Sequence, residues 1–149
     1  MLAAVIVTEK LPDVPAGNIL AEPMGRNTAA AVAFAAAAID RPMDEVMVVL
    51  PADHAIADEA GFRASLVAAA ARAATGDLVT LGIAPTGPET GYGYVLSTGA
   101  PVAVGDRASW RVDRFIEKPS VERATELLRG GRASWNAGIF VWRRGSVID

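Results

Sequence analysis

The 149-residue chain contains no cysteine, one histidine (His54) and two lysines (Lys10 and Lys118). The first absence excludes disulfides, thiolate metal sites and thiol nucleophiles, and it fits a cytoplasmic protein. With His54 alone, a histidine-based metal cluster is excluded as well. A formal net charge of -3 gives no basic field, so nucleic acid is not an expected partner. Long apolar runs are missing too. The longest alanine-rich stretch, Ala29 to Ile39, falls well short of the roughly 20 residues of a membrane span. The start, Met1 to Val7, is apolar but has neither a basic leader nor a long apolar core, so it is a poor match to a signal peptide, and a membrane is not expected.

What is abundant is small and apolar. Hydrophobic residues make up 52% of the chain, lifted by alanine, which suits close helix–sheet packing. The length fits one domain, residues 1–149, with no linker or internal repeat. Leu2–Val7, Val46–Leu50 and Leu78–Ile83 are continuous apolar runs of strand length, as in strands covered on both faces. Between them, helices are expected from Asn27 or Thr28 to Ile39, buried on most sides, and from Ala60 to Ala74. Further strands are expected at Tyr92–Leu96, Ser109–Ile116 and Ile139–Trp142. A helix capped by Ser120 is expected to end before Gly130-Gly131. The alternation predicts an α/β fold, Rossmann-like, with three α/β/α layers and a mainly parallel mixed sheet.

Five polar segments lie next to the ends of these elements, where open α/β sheets bind ligands. In Glu22-Pro23-Met24-Gly25-Arg26-Asn27-Thr28, Gly25 allows close backbone approach and the following helix aims free N–H groups at the loop. Glu22 matches the N1–H and N2–H₂ donors of guanine; taken alone, the segment also reads as a capped loop with Arg26 paired to Glu22. Asp53, in Leu50-Pro51-Ala52-Asp53-His54, suits Mg²⁺ bridged to nucleotide phosphates, or is simply a turn former. Gly91-Tyr92-Gly93 leaves room for a sugar ring, or is a turn into a strand. Lys118 offers a point charge to phosphate and Glu117 an acceptor to sugar hydroxyls; as a plain surface pair they contribute about 0–1 kcal/mol. Asn136 supplies donor and acceptor, beside a Trp135 that packs and a Gly138 that clears space, or the segment merely anchors the last strand.

Taken in order, the segments EPMGRNTA (Glu22–Ala29), LPADH (Leu50–His54), LVTLGIAPTGPETGYGY (Leu78–Tyr94), RFIEKP (Arg114–Pro119) and WNAGIF (Trp135–Phe140) resemble one family. It is the mannose-1-phosphate guanylyltransferases, or GDP-mannose pyrophosphorylases, of the sugar nucleotidyltransferase superfamily. The resemblance implies a nucleotide-diphospho-sugar transferase fold and the joining of GTP and mannose 1-phosphate into GDP-mannose and pyrophosphate. It assigns Glu22, Pro23, Gly25, Arg26, Asn27 and Thr28 to the nucleotide. Gly91, Tyr92, Gly93, Glu117 and Asn136 go to the sugar, and Asp53 and Lys118 to catalysis, with Asp53 on Mg²⁺.

The chain departs from the family pattern in lacking a G-x-G-T-R-type phosphate loop, and Ala30 stands where a proline is common. These departures imply a catalytic domain truncated at both ends with impaired turnover. The alternatives are a non-catalytic GDP-mannose-binding or regulatory module and a nucleotidyltransferase for another sugar phosphate. Loss of the family's first strand would also leave an unpaired edge, so self-association into a homo-oligomer is expected.

Overall fold

The computed structural model describes residues 9–22, 24–25 and 27–148. The strand expected at Leu2–Val7, and with it Pro23 and Arg26, lies outside the described residues. The order of elements is α1 (Asn27–Ala38), β1 (Val46–Val49), α2 (Glu59–Ala73), β2 (Val79–Ile83), β3 (Gly93–Val104), β4 (Arg107–Glu117), α3 (Val121–Arg129) and β5 (Ala133–Arg143). Short 3₁₀ turns occupy Ala16–Asn18 and Arg144–Val147.

The chain is α/β, but the sheet is not mainly parallel: every pairing among the described strands is antiparallel. The reason lies in β5. Val141 faces Val48 of β1 and Val79 of β2, so β5 runs between two strands that share a direction and reverses the sense at both edges. Nearer its start, Trp135 faces Ile83 of β2 and Tyr94 of β3. The strand–helix–strand alternation of β1, α2 and β2 was legible in the sequence; the later strand inserted into it was not. Strand β4 pairs only with β3 among the described residues.

Two apolar clusters hold helices to this sheet. Ala69 and Ala73 of α2 meet the fully buried Val141, with Val46, Leu66, Val79 and Leu81 around them. The helix forms where Asp58 accepts the Gly61 N–H at 2.9 Å, with Glu59 in its first turn and Arg72 in its last. Its small buried face lets the helix lie close to the strands. In the second cluster Ala124 and Leu127 of α3 pack on Tyr94, flanked by Leu96, Ile116 and Trp135. Ser120 caps α3 by accepting the Arg123 N–H at 3.3 Å.

Helix α1 departs from expectation. Although nearly all apolar, it buries only Val32 and Ala36, and Phe34 stays 40% exposed. Among the described residues, the firmest hold on it comes from Arg144. Its Nε donates to the Ala36 carbonyl at 2.7 Å, one of the groups that a helix C-terminus leaves free, and its Nη1 to the Arg41 carbonyl just beyond at 2.6 Å. No helix among the described residues is long and apolar enough to cross a membrane.

Candidate functional site

Three of the residues expected at a sugar site meet where β3, β4 and β5 lie side by side. Gly93 opens β3 opposite Glu117, which closes β4. A Cβ placed on Gly93 would lie 2.7 Å from Glu117 Oε2 and 3.7 Å from Asn136 Cβ. The missing side chain at 93 is therefore the space into which the carboxylate leans and along which the amide stands. Any other residue there would fill it.

Beyond Gly93, the Lys118 N–H donates to the Tyr92 carbonyl at 3.2 Å, extending the hairpin by one bond. Lys118 has a φ of 42°, a left-handed conformation that a non-glycine residue adopts at a cost of order 1–3 kcal/mol. It turns the chain from β4 into the buried Pro119 and the α3 cap. Its Nζ sits 3.8 Å from Glu117 Oε1, and the two side chains are 65% and 73% exposed. A pair this open adds little to stability and leaves both charges available to a ligand. Tyr92 packs edge-on against Trp135, ring centres 5.1 Å apart. The neighbouring loop is fastened by the buried Tyr94, whose hydroxyl donates to the Glu89 carbonyl at 2.8 Å. Gly91 is exposed, with nothing within 4 Å of a Cβ built on it.

Asn136 is not in a loop ahead of the last strand, as its polarity suggested, but inside β5. The strand begins at Ala133 because residues 133–135 pair with β3, and Trp135 and Asn136 pair with β2 as well. Just beyond Asn136 the register against β2 jumps from Gly82↔Asn136 to Thr80↔Phe140, a bulge on β5 centred on Gly138 with φ 67°. Side chains supply the hydrogen bonds that the ladder loses there. Asn136 Oδ1 accepts the Gly138 N–H at 3.1 Å. The Thr80 hydroxyl lies 3.2 Å from the same oxygen and 3.1 Å from the Ile139 carbonyl. The sequence reading missed Thr80; the signal was one polar residue within an otherwise apolar strand.

Pro51 lies beside this bulge: a Cβ built on Gly138 would stand 3.5 Å from its Cγ. The exposed Asp53 loop, which follows β1, therefore starts near the strand carrying Asn136. Among its described residues, the Glu22 to Thr28 segment stands apart from these contacts. Among the described residues no hydrogen bond or ion pair links it to Asp53, Glu117 or Asn136. Glu22 is half-buried, Gly25 and Thr28 are exposed, and Asn27 starts α1 with a φ of 64°. Two surface grooves border the hairpin of β3 and β4: one of about 310 Å³ lies against α3, and one of about 800 Å³ lies against α2 and β2, with Thr80, Gly82 and Ser134 in its lining. No group of three metal-ligating side chains occurs among the described residues. A lone exposed carboxylate such as Asp53 fits a Mg²⁺ that arrives on phosphates and keeps its waters, not an all-protein cage.

The profile of the family described as Nucleotidyl transferase matches residues 5–148. The chain belongs to that family. The mannose-1-phosphate guanylyltransferase of Escherichia coli K12 is 44% identical over 135 residues, covering 89% of this chain and 28% of that protein. The xanthan biosynthesis protein XanB of Xanthomonas campestris (strain ATCC 33913) is 48% identical over 132 residues, covering 88% and 27%. Among solved structures, a Thermus thermophilus protein called mannose-1-phosphate geranyltransferase superposes with a TM-score of 0.73 at 29% identity, covering 96% of this chain and 48% of that one. A Helicobacter pylori protein called mannose-6-phosphate isomerase gives 0.71 at 33%, covering 83% and 44%. The chain thus spans under a third of the length of these two sequence relatives and about half of the two solved chains.

Proposed function

We propose that this chain carries the sugar-binding part, and some of the nucleotide-binding part, of a guanylyltransferase that makes GDP-mannose from GTP and mannose 1-phosphate. The observation that carries the proposal is the convergence of Glu117 and Asn136 over the bare Gly93, with the strained Lys118 beside them. In this reading Glu117 accepts from a sugar hydroxyl, Asn136 hydrogen-bonds a second, and Gly91, Tyr92 and Gly93 line the ring. Lys118 faces the phosphates. Glu22, Pro23, Gly25, Arg26, Asn27 and Thr28 take the guanosine, with Glu22 reading the donor edge of guanine.

In the reaction, an oxygen of mannose 1-phosphate attacks the α-phosphorus of GTP in line. The bond from that phosphorus to the bridging oxygen breaks and pyrophosphate leaves. The protein contributes placement and charge neutralisation, so no covalent nucleophile is needed. Mg²⁺, held by Asp53 together with the phosphates, would neutralise charge on the leaving group. With no G-x-G-T-R-type segment in the sequence, we propose that turnover by these residues alone is slow or absent. The use of GTP in this reading and the absence of cysteine favour a cytoplasmic setting.

The decisive experiment is calorimetric titration with GDP-mannose, UDP-glucose and dTDP-glucose, alongside a pyrophosphate-release assay with GTP, mannose 1-phosphate and Mg²⁺. Preferential binding of GDP-mannose with little or no turnover is the expected result. Absence of binding to all three ligands in folded protein would refute the reading. Rapid pyrophosphate release would refute the impairment.

A further inference from the structure

We infer that Thr80 is a positioning residue that fixes which way the Asn136 amide faces, making Asn136 a hydrogen-bond donor to the sugar. This rests on the proposed function and deepens it. The Gly138 backbone N–H can only donate, so the Asn136 atom 3.1 Å from it has to be the carbonyl oxygen. That oxygen also meets the Thr80 hydroxyl, whose single proton is shared between it and the Ile139 carbonyl. With Oδ1 held by two donors inside the bulge, the NH₂ group is the part of Asn136 left to serve a ligand. The Glu117 carboxylate, an acceptor, stands across Gly93: its Oε2 and the Asn136 Cβ both border the space that a Cβ at 93 would fill. The pair presents one donor and one acceptor, the pattern that two neighbouring hydroxyls of a hexose complement. A reversed amide would offer two acceptors, so both hydroxyls would have to donate and neither would find a donor in the pair.

Thr80 sits on β2, whereas the other sugar-site residues sit in the loop at 91–92 and on β3, β4 and β5; its link to them is the contact with Asn136. The test compares Thr80→Val, which keeps the shape and removes the hydroxyl, with Thr80→Ser, which keeps the hydroxyl. Calorimetry is run with GDP-mannose and with GDP. The expected result is a 3- to 10-fold (roughly) weaker binding of GDP-mannose to Thr80→Val, unchanged binding of GDP, and recovery in Thr80→Ser to within about twofold. Equal loss for both ligands, or no recovery in Thr80→Ser, would show a merely structural role and overturn the inference. A ligand-free readout separates this from the functional reading: the side-chain amide signals of Asn136 in ¹⁵N NMR. They should shift in Thr80→Val and return in Thr80→Ser. Unchanged signals refute the positioning claim, whereas failure of the unaltered protein to bind GDP-mannose refutes only the functional reading.

Discussion

Replacing Gly93 with alanine separates the stability of this fold from its chemistry. The added methyl would stand 2.7 Å from Glu117 Oε2, so the carboxylate has to withdraw by several tenths of an ångström. It can do so cheaply, because the Glu117 side chain is 73% exposed and free to rotate. The backbone at 93 is outside the left-handed region, so alanine fits without strain there. Loss of freedom in the unfolded chain favours alanine by about 0.4–1 kcal/mol, offsetting the displacement. The expected change in stability is therefore within about 1 kcal/mol of zero. Binding should behave otherwise. A displaced carboxylate forfeits a hydrogen bond to charge, about 1.5–3 kcal/mol, or roughly 10- to 150-fold in affinity for GDP-mannose. GDP, which lacks the sugar, should bind Gly93→Ala as it binds the unaltered protein. Calorimetry with both ligands and a thermal melt measure these quantities. A melting point lowered by more than about 5 °C with GDP-mannose affinity intact would refute the reasoning.

Four further substitutions, the last read as a pH profile, probe the frame around the site. Arg144→Ala frees the Ala36 and Arg41 carbonyls and should cost about 1–3 kcal/mol, a fall in Tm on the order of 2–12 °C by calorimetry. Tyr94→Phe leaves the Glu89 carbonyl unpaired; a loss of about 1–2 kcal/mol in urea unfolding is expected, with the 85–91 loop becoming more open to proteolysis. Ala73→Leu forces a larger side chain against the fully buried Val141 and should cost about 1–3 kcal/mol, read as a lower urea midpoint at unchanged slope. Glu122 is held below the ordinary carboxylate value of 4.5, first by the hydrogen bond from its own backbone N–H and then by Ser120. A carboxyl depressed in this way stabilises the fold above that value, and the contribution disappears as pH falls through the lower folded-state value. Glu122→Gln should therefore flatten the acid side of a circular-dichroism stability profile and leave its neutral side little changed.

The parts of the fold that short-range patterns specify were legible. The cap at Ser120 and the glycines closing α3 fixed that helix, and the apolar runs at Val46 and Val79 marked two sheet strands. What escaped notice depends on distant pairing. The direction of the sheet turns on β5, whose partners lie far back in the chain, and no local period reveals them. The same holds for β3, which continues to Val104 because β4 returns alongside it. At the site, residue types were informative: Glu117 and Asn136, nineteen positions apart, do converge on Gly93. Thr80 went unnoticed because its importance comes from a bulge in another strand. The exposed α1 shows the converse: apolar composition states what a helix can bury, and packing decides how much of it is buried.

The position of β5 also governs the order in which the molecule can fold. Strands β1 and β2 share a direction but have no ladder with each other; among the described residues, each finds its partner in β5, near Val141. A chain emerging from the ribosome can form α2 early, yet the two strands flanking it in sequence must wait for β5, which starts at Ala133, far beyond Ile83, before the sheet around them closes. Closing loops of that length is entropically costly before any contact rewards it, which makes assembly slow. Until then the open edges of β1 and β2 are the surfaces on which wrong pairings would start, and β5 guards both at once.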